Sequence, residues 1–256
     1  MQRRIWTYDE FLVVFNLYLK LLFGKMDARN SQVIEIAKLI NRTPSAVAMR
    51  LCNFASADPY HQQRGIKGLA GGKKQCEPIF ERFINDRENL MYESENILAN
   101  LKGESLLVKN NELETEDDDF SSTMRESLIK TRVNQNLFRK IILANYGGKC
   151  AISNMAIPNL LVASHIIPWA KDEKNRLNPA NGICLNALYD RAYDSGLLSI
   201  DLSYKIVLSS QLKHECQQEY FKIYFADIEN KKINLPEKFL PNKTFLDYHL
   251  NYCFKN

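Results

Sequence analysis

The chain has 256 residues, enough for one large domain or two ordinary ones. With 45% apolar and 25% charged residues it reads as an ordinary soluble globular protein, which excludes fibrous and low-complexity classes. The net charge of +4 is uneven: residues 1–90 carry 14 Lys and Arg against 9 Asp and Glu, residues 91–120 carry 2 against 9, and residues 121–256 carry 18 against 12.

No apolar run reaches the roughly 18 to 20 residues that a membrane span needs. The start, Met1-Gln2-Arg3-Arg4-Ile5-Trp6, lacks the apolar core of a secretory signal. A cytoplasmic protein with no membrane partner is expected. None of the cysteines (Cys52, Cys76, Cys150, Cys184, Cys216 and Cys253) forms a C-x-x-C pair, so no structural zinc is expected. Thiols packed as small apolar groups are the simpler reading.

From the N-terminus the periodicity is helical. Thr7 with Glu10 matches a capping box, followed by an apolar stripe of Phe11, Val14, Phe15, Tyr18 and Leu22. Ser31 to Ile40 is a second helix facing inward through Val33, Ile34, Ala37 and Leu39 or Ile40. After the turn Asn41-Arg42-Thr43, Thr43 suits an N-cap and Pro44 the first helical position, where a missing N–H is harmless. The third helix, Pro44 to Phe54, buries Val47, Leu51 and Phe54 and leaves Ser45, Ala46, Met49, Arg50 and Asn53 to face outward.

Two helices joined by so short a turn fit a helix-turn-helix pattern, and fit a plain helical hairpin too. The stretch Arg64-Gly65-Ile66-Lys67-Gly68-Leu69-Ala70-Gly71-Gly72-Lys73-Lys74 mixes four cations with four glycines. Such a loop lets backbone N–H groups approach phosphates while its cations release counterions. A flexible surface loop has the same composition. Glu77 to Leu101 reads as one or two further helices, with Phe80, Phe83, Ile84, Leu90 and Met91 as core.

Six carboxylates within Glu112–Asp119 repel one another and cannot build a core. We therefore divide the chain into a helical DNA-recognition domain at 1–105, an acidic linker at 106–122 and a second domain at 123–256 with a helical C-terminal extension. Met124 to Tyr146 is helical, with Leu128, Val133, Phe138, Ile141 and Ile142 for burial, and Gly147-Gly148 ends it. Leu160–Ala163 is a strand leading into His165; Gly196–Ile200 and Lys205–Leu208 are two more, and Asn186–Asp194 between them is a short helix. Thr244 to Phe254 is a closing helix on which His249 packs, and His61 and His214 have structural or surface roles.

The chemistry concentrates between Cys150 and Leu208. Asp190 and Asp194 are four apart, so on a helix they share one face. Like charges there repel unless a hard divalent ion bridges them, although two solvated aspartates would look the same. His165 follows a strand and precedes Ile166-Ile167-Pro168-Trp169. Alone, it fits a packed histidine as well as a catalytic one.

Together these blocks resemble the HNH nucleases. The resemblance covers roughly Gln135 to Leu208 and rests on Ser164-His165-Ile166-x-Pro168-Trp169, Asn178-Pro179-x-Asn181-Gly182 and Leu188-Tyr189-Asp190-x-x-Tyr193-Asp194-x-Gly196-Leu197. It is closest to the restriction-type branch. The lead-in Arg132–Arg139, Tyr146 and Cys150-Ala151-Ile152 looks like that branch too, and the stretch from Trp6 through Gly68 resembles a domain found ahead of such modules.

The resemblance implies a ββα-metal fold, and hence a mostly helical α+β protein with a helix-turn-helix-type N-terminal domain and a C-terminal nuclease. It implies a general-base role for His165, a loop-bracing role for Asn181 and metal ligation by Asp190 and Asp194. Two positions depart from the family pattern. Ser164 stands where an acidic or histidine ligand is usual, and Asp190 stands where histidine or asparagine is usual. Two carboxylates favour one Mg²⁺ or Mn²⁺ per site.

Arg132, Gln135, Arg139, Arg176 and Arg191 are expected to hold phosphates, with Arg50, Asn53, Lys67, Lys73 and Lys74 binding DNA from the first domain. The expected activity is a restriction-type endonuclease on double-stranded DNA, with modified DNA a natural target for a chain carrying its own reader. A homodimer is expected because one active site cuts one strand at a time. The competing reading, motivated by Ser164, is a DNA-binding regulator whose nuclease module no longer cleaves.

Overall fold

The computed structural model describes residues 4–63, 65, 70–106 and 122–256. The acidic strip Glu112–Asp119, most of the glycine-rich basic stretch and Lys67 lie outside the described residues. The chain divides into two compact units, Met1–Leu137 and Phe138–Asn256.

The first unit is helical: α1 (Tyr8–Lys20), α2 (Ser31–Leu39), α3 (Pro44–Ala57), α4 (Pro59–Gln63), α5 (Lys73–Asn85) and α6 (Arg87–Leu101), joined by the first part of α7 (Ser122–Asn145). The Thr7–Glu10 capping box opens α1, Asn30 caps α2, and Thr43 caps α3 with Pro44 in its first turn. Phe15, Tyr18, Phe54, Phe80 and Phe83 interlock at the centre, with Phe15 lying 5.1 Å from both Phe54 and Phe80. Tyr18 donates its hydroxyl hydrogen to the buried Asp58 carboxylate. The start of α7 joins this unit through Ile129 and Val133, which pack with Ala99 and Leu106.

Five helix positions differ from the expected facing. Arg50 is buried, with its guanidinium 4.5 Å over Phe11 and 4.7 Å over Trp6 and one nitrogen donating to Gln75 at 2.9 Å. It lies three residues after Val47 and four before Phe54, on the buried stripe, and the aromatic faces make a cation tolerable there. Asn53 is buried against Gly72, where an added methyl would overlap its amide. The outward face of α3 is left with Ser45 and Met49 exposed.

Ile34, Ile84 and Leu128, expected in the core, are exposed. In each case a neighbour on the i, i+3, i+4 stripe fills the core instead: Val33 and Ile36, Phe80 and Phe83, Ile129 and Val133.

The second unit is α+β. Strands β1 (Leu161–His165) and β2 (Gly182–Asn186) pair antiparallel, with His165 opposite Gly182 and Ser164 opposite Ile183. Helix α8 (Ala187–Asp194) follows directly and packs on both strands. A second antiparallel pair, β3 (Leu198–Ile200) and β4 (Ile206–Leu208), leads into α9 (Ser210–His214), α10 (Glu219–Tyr224) and α11 (Lys243–Tyr252).

The sequence pattern predicts no strand at Gly182–Asn186 and no helix at α9 or α10, where the structure has them. All five positions of β2 are buried, which removes the alternation that marks a half-exposed strand. No helix among the described residues is long and apolar enough to cross a membrane.

Candidate active site

The site is assembled by a strand, a loop and a helix. β1 ends at His165, the loop 166–181 returns the chain, and β2 feeds α8. Asn186 ends β2 and caps α8 by accepting from the Tyr189 N–H at 2.9 Å, so the helix starts where the strand stops. The Cys150 thiol packs here as well, its sulfur accepting from the Asn186 N–H at 3.2 Å.

Three contacts hold His165. Its Nε2 lies 2.8 Å from the Arg176 carbonyl oxygen. A carbonyl only accepts, so Nε2 carries the hydrogen and Nδ1 keeps its lone pair. Phe138 stacks on one face of the imidazole at 4.5 Å and 13°, and Trp169 meets it edge-on at 5.4 Å and 86°. Phe138 gets this close because Gly182, opposite His165, has no side chain in the way. Burial lowers the imidazole pKa below the ordinary 6.5, and the Arg176 carbonyl and the Asp190 charge only partly oppose it.

Asn181 is fully buried, and among the described residues its side chain makes no hydrogen bond to the imidazole. Its Oδ1 accepts from the Ile167 N–H at 2.8 Å, and its Nδ2 donates to the carbonyls of Ile167 and Asn175. Asn175 directly precedes Arg176, so this amide ties the start of the loop to the segment carrying the carbonyl that orients His165.

Ser164, His165, Asp190 and Asp194 line one cavity of about 410 Å³, together with Trp169, His249 and Cys253. Burial raises the pKa of Asp190, opposed by the nearby Ser164 hydroxyl, His165 and Arg191. Asp194 is raised first by burial and then by the charge of Asp190. The two carboxylates therefore repel each other, and neither appears in an ion pair among the described residues. The Ser164 hydroxyl is buried and favours the ionised form of Asp190, yet it makes no hydrogen bond of full geometry among the described residues.

Two mutually repelling carboxylates beside a buried, unsatisfied hydroxyl suit a hard divalent cation. Mg²⁺ in particular takes one or two carboxylates and keeps water or phosphate oxygens in its remaining positions. No group of three or more His, Cys, Asp and Glu side chains with metal-holding geometry occurs among the described residues. Water or substrate oxygens would therefore have to fill most of the shell.

The residues expected to bind phosphate are more dispersed. Arg176 is half-buried, its guanidinium 5.0 Å over Trp169, and Arg191 is exposed on α8. Arg139 donates to the Pro158 carbonyl at 3.2 Å. Lys73, Lys74, Arg132 and Gln135 belong to the first unit, as do the buried Arg50 and Asn53; Lys73 pairs with Glu77 at 3.7 Å, and Lys74, Arg132 and Gln135 are exposed.

Phe138, Gly182, the Arg176 carbonyl, His249 and Cys253 complete the site without having been singled out for it. Gly182 carried a sequence signal as the glycine ending Asn178-Pro179-Ala180-Asn181-Gly182, and Phe138 carried one as part of the Arg132–Arg139 lead-in.

No curated protein matches the chain. Residues 150–201, which span β1, β2, α8 and β3, match the family model described as HNH endonuclease. The second unit of this chain thus carries an HNH endonuclease domain, which supports nuclease activity.

Proposed function

We propose that this chain is a metal-dependent DNA endonuclease of restriction type, in which His165 is the general base and Asp190 and Asp194 hold one Mg²⁺ or Mn²⁺. One observation carries the reading: an imidazole whose Nε2–H is spent on a backbone carbonyl lines the same cavity as two carboxylates that form no ion pair among the described residues.

In this reading Nδ1 of His165 removes a proton from water as the water oxygen bonds to phosphorus. The bond from phosphorus to the 3′ oxygen then breaks. Burial keeps the imidazole neutral, and so basic, at pH 7. Phe138 and Trp169 prevent the ring from turning, and Asn181 keeps the Arg176 carbonyl behind it. Asp190 and Asp194 would hold the cation, which would supply charge stabilisation to the phosphate and the departing oxygen. Arg176 and Arg191 are the nearest candidates in this unit for holding flanking phosphates, and the first unit supplies target selection. A homodimer in the cytoplasm fits an enzyme with one site that breaks both strands of a duplex.

The test is nicking of plasmid and of phage DNA, unmodified and cytosine-modified, with Mg²⁺ or Mn²⁺. Wild type should cleave, and His165→Ala should be slower by about 10²–10⁴-fold while still binding DNA. Salt-sensitive binding by wild type with no cleavage of any substrate would favour the non-cleaving regulator, which the neutral Ser164 at a usual ligand position motivates.

A further inference from the structure

The cavity has a wall that lies outside the matched segment. His249 and Cys253, from the C-terminal helix α11 and the residue after it, face it with Asp190 and Asp194. We propose that His249 is a positioning residue of this cavity, holding the end of α8 so that Asp194 stays beside Asp190. The proposal rests on the reading of those two aspartates as metal ligands.

α8 is eight residues long and Asp194 is its last. Helix ends fray readily, and the like charge of Asp190 one turn earlier disfavours keeping Asp194 beside it. Something must restrain it. Tyr193, immediately before Asp194, is fully buried and stacks on the His249 ring at 3.7 Å and 14°. The Tyr193 hydroxyl has no hydrogen bond among the described residues, so packing positions this ring, and the His249 ring stacked on it is part of that packing.

His249 is itself anchored, with Nδ1 2.8 Å from the Ser199 hydroxyl on β3. On the far side of Asp194, the Gly196 carbonyl accepts from the Lys255 N–H at 2.9 Å. Gly196 has φ +72°, and a methyl there would strike the Cys253 carbonyl. The N–H groups of Cys253 and Phe254 in turn donate to the His249 carbonyl at 3.0 and 2.9 Å. Asp194 thus sits between two attachments, both running to the segment 249–255.

Ligation by His249 does not fit. The residue is 2% exposed, one ring nitrogen is engaged by Ser199 and one face is covered by Tyr193. It acts through Tyr193, as outer residues that orient ligands commonly do.

The test is Mn²⁺ binding to the full chain by titration calorimetry, with a metal-free melting curve for each variant. Wild type should bind, and Asp194→Asn should bind far more weakly. His249→Ala should raise Kd by about 10–100-fold while remaining folded. His249→Phe, which keeps a ring against Tyr193, should fall between the two. A folded His249→Ala with wild-type Kd, while Asp194→Asn has lost affinity, overturns the proposal and leaves the ligand reading intact. If His249→Ala does not fold, His249→Phe and Ser199→Ala carry the test, and wild-type Kd in both overturns it. Failure of wild type to bind Mn²⁺, or unchanged binding by Asp190→Asn, overturns the ligand reading and the proposal with it.

Discussion

Gly182→Ala is the most informative single substitution, because the smallest possible side chain would press on the catalytic candidate from behind. Gly182 faces His165 across the β1–β2 ladder. A methyl at this position would lie 2.5 Å from Ile142 Cδ1 and 2.8 Å from Phe138 Cζ, too close for either to stay in place. Ile142 and Phe138 are both buried, so neither has solvent to move into. Overpacking of this kind costs about 1–3 kcal/mol. For a domain of roughly 150–250 residues that lowers Tm by about 2–4 °C per kcal/mol.

The functional effect should exceed the stability effect. Phe138 stacks on His165 at 4.5 Å, so a displaced phenyl ring moves the imidazole or frees it to turn. A misplacement of about 1 Å at a reacting group can cost about 10²-fold in rate. We expect Gly182→Ala to remain folded at 25 °C, to melt several degrees lower and to nick plasmid at least tenfold more slowly. A melting curve and a single-turnover nicking assay read both quantities. Wild-type rate together with wild-type Tm would refute the packing argument.

Other expectations follow from the same geometry. Because burial lowers the His165 pKa, the nicking rate should rise with pH through a midpoint below 6.5 and level off by neutrality; a midpoint well above 6.5 would exclude His165 as the base. His249 is pushed down to about 4 by burial, against an ordinary value of 6.5. Between those values the unfolded chain binds the extra proton, so this residue's contribution is complete above about pH 6.5 and is lost as pH falls toward 4. The loss is on the order of 3 kcal/mol, and His249→Phe should flatten the acid limb of stability measured by denaturant titration. Asp190→Asn removes one of two repelling carboxylates, so without metal it should melt at or above the wild-type temperature, while the rise in Tm on adding Mg²⁺ or Mn²⁺ disappears. Arg50→Ala should destabilise the first unit by roughly 1–3 kcal/mol by vacating the space over Trp6 and Phe11; an unchanged Tm with weakened DNA binding would restore a surface role for this arginine.

What the sequence determined by itself is local. The spacing of Asp190 and Asp194 puts both on one helix face wherever that helix lies, because 3.6 residues complete a turn. The Thr7–Glu10 and Thr43-Pro44 caps are equally local, since each hydrogen bond spans three residues. The motifs around His165, Asn181 and Asp190 all lie within the segment 150–201 that matches the HNH endonuclease model, because a family pattern is written in particular side chains at particular separations. Tertiary structure decided what depends on residues distant in the chain. β2 is a strand because β1 pairs with it, and its uniform burial hid that from any pattern of alternation. Arg50 turned inward because Trp6, 44 positions earlier, supplied an aromatic face. His249 reached the cavity from 59 positions beyond Asp190 because Ser199 and Tyr193 hold its ring there. Periodicity shows which face of an element is apolar, but only packing settles what that face meets.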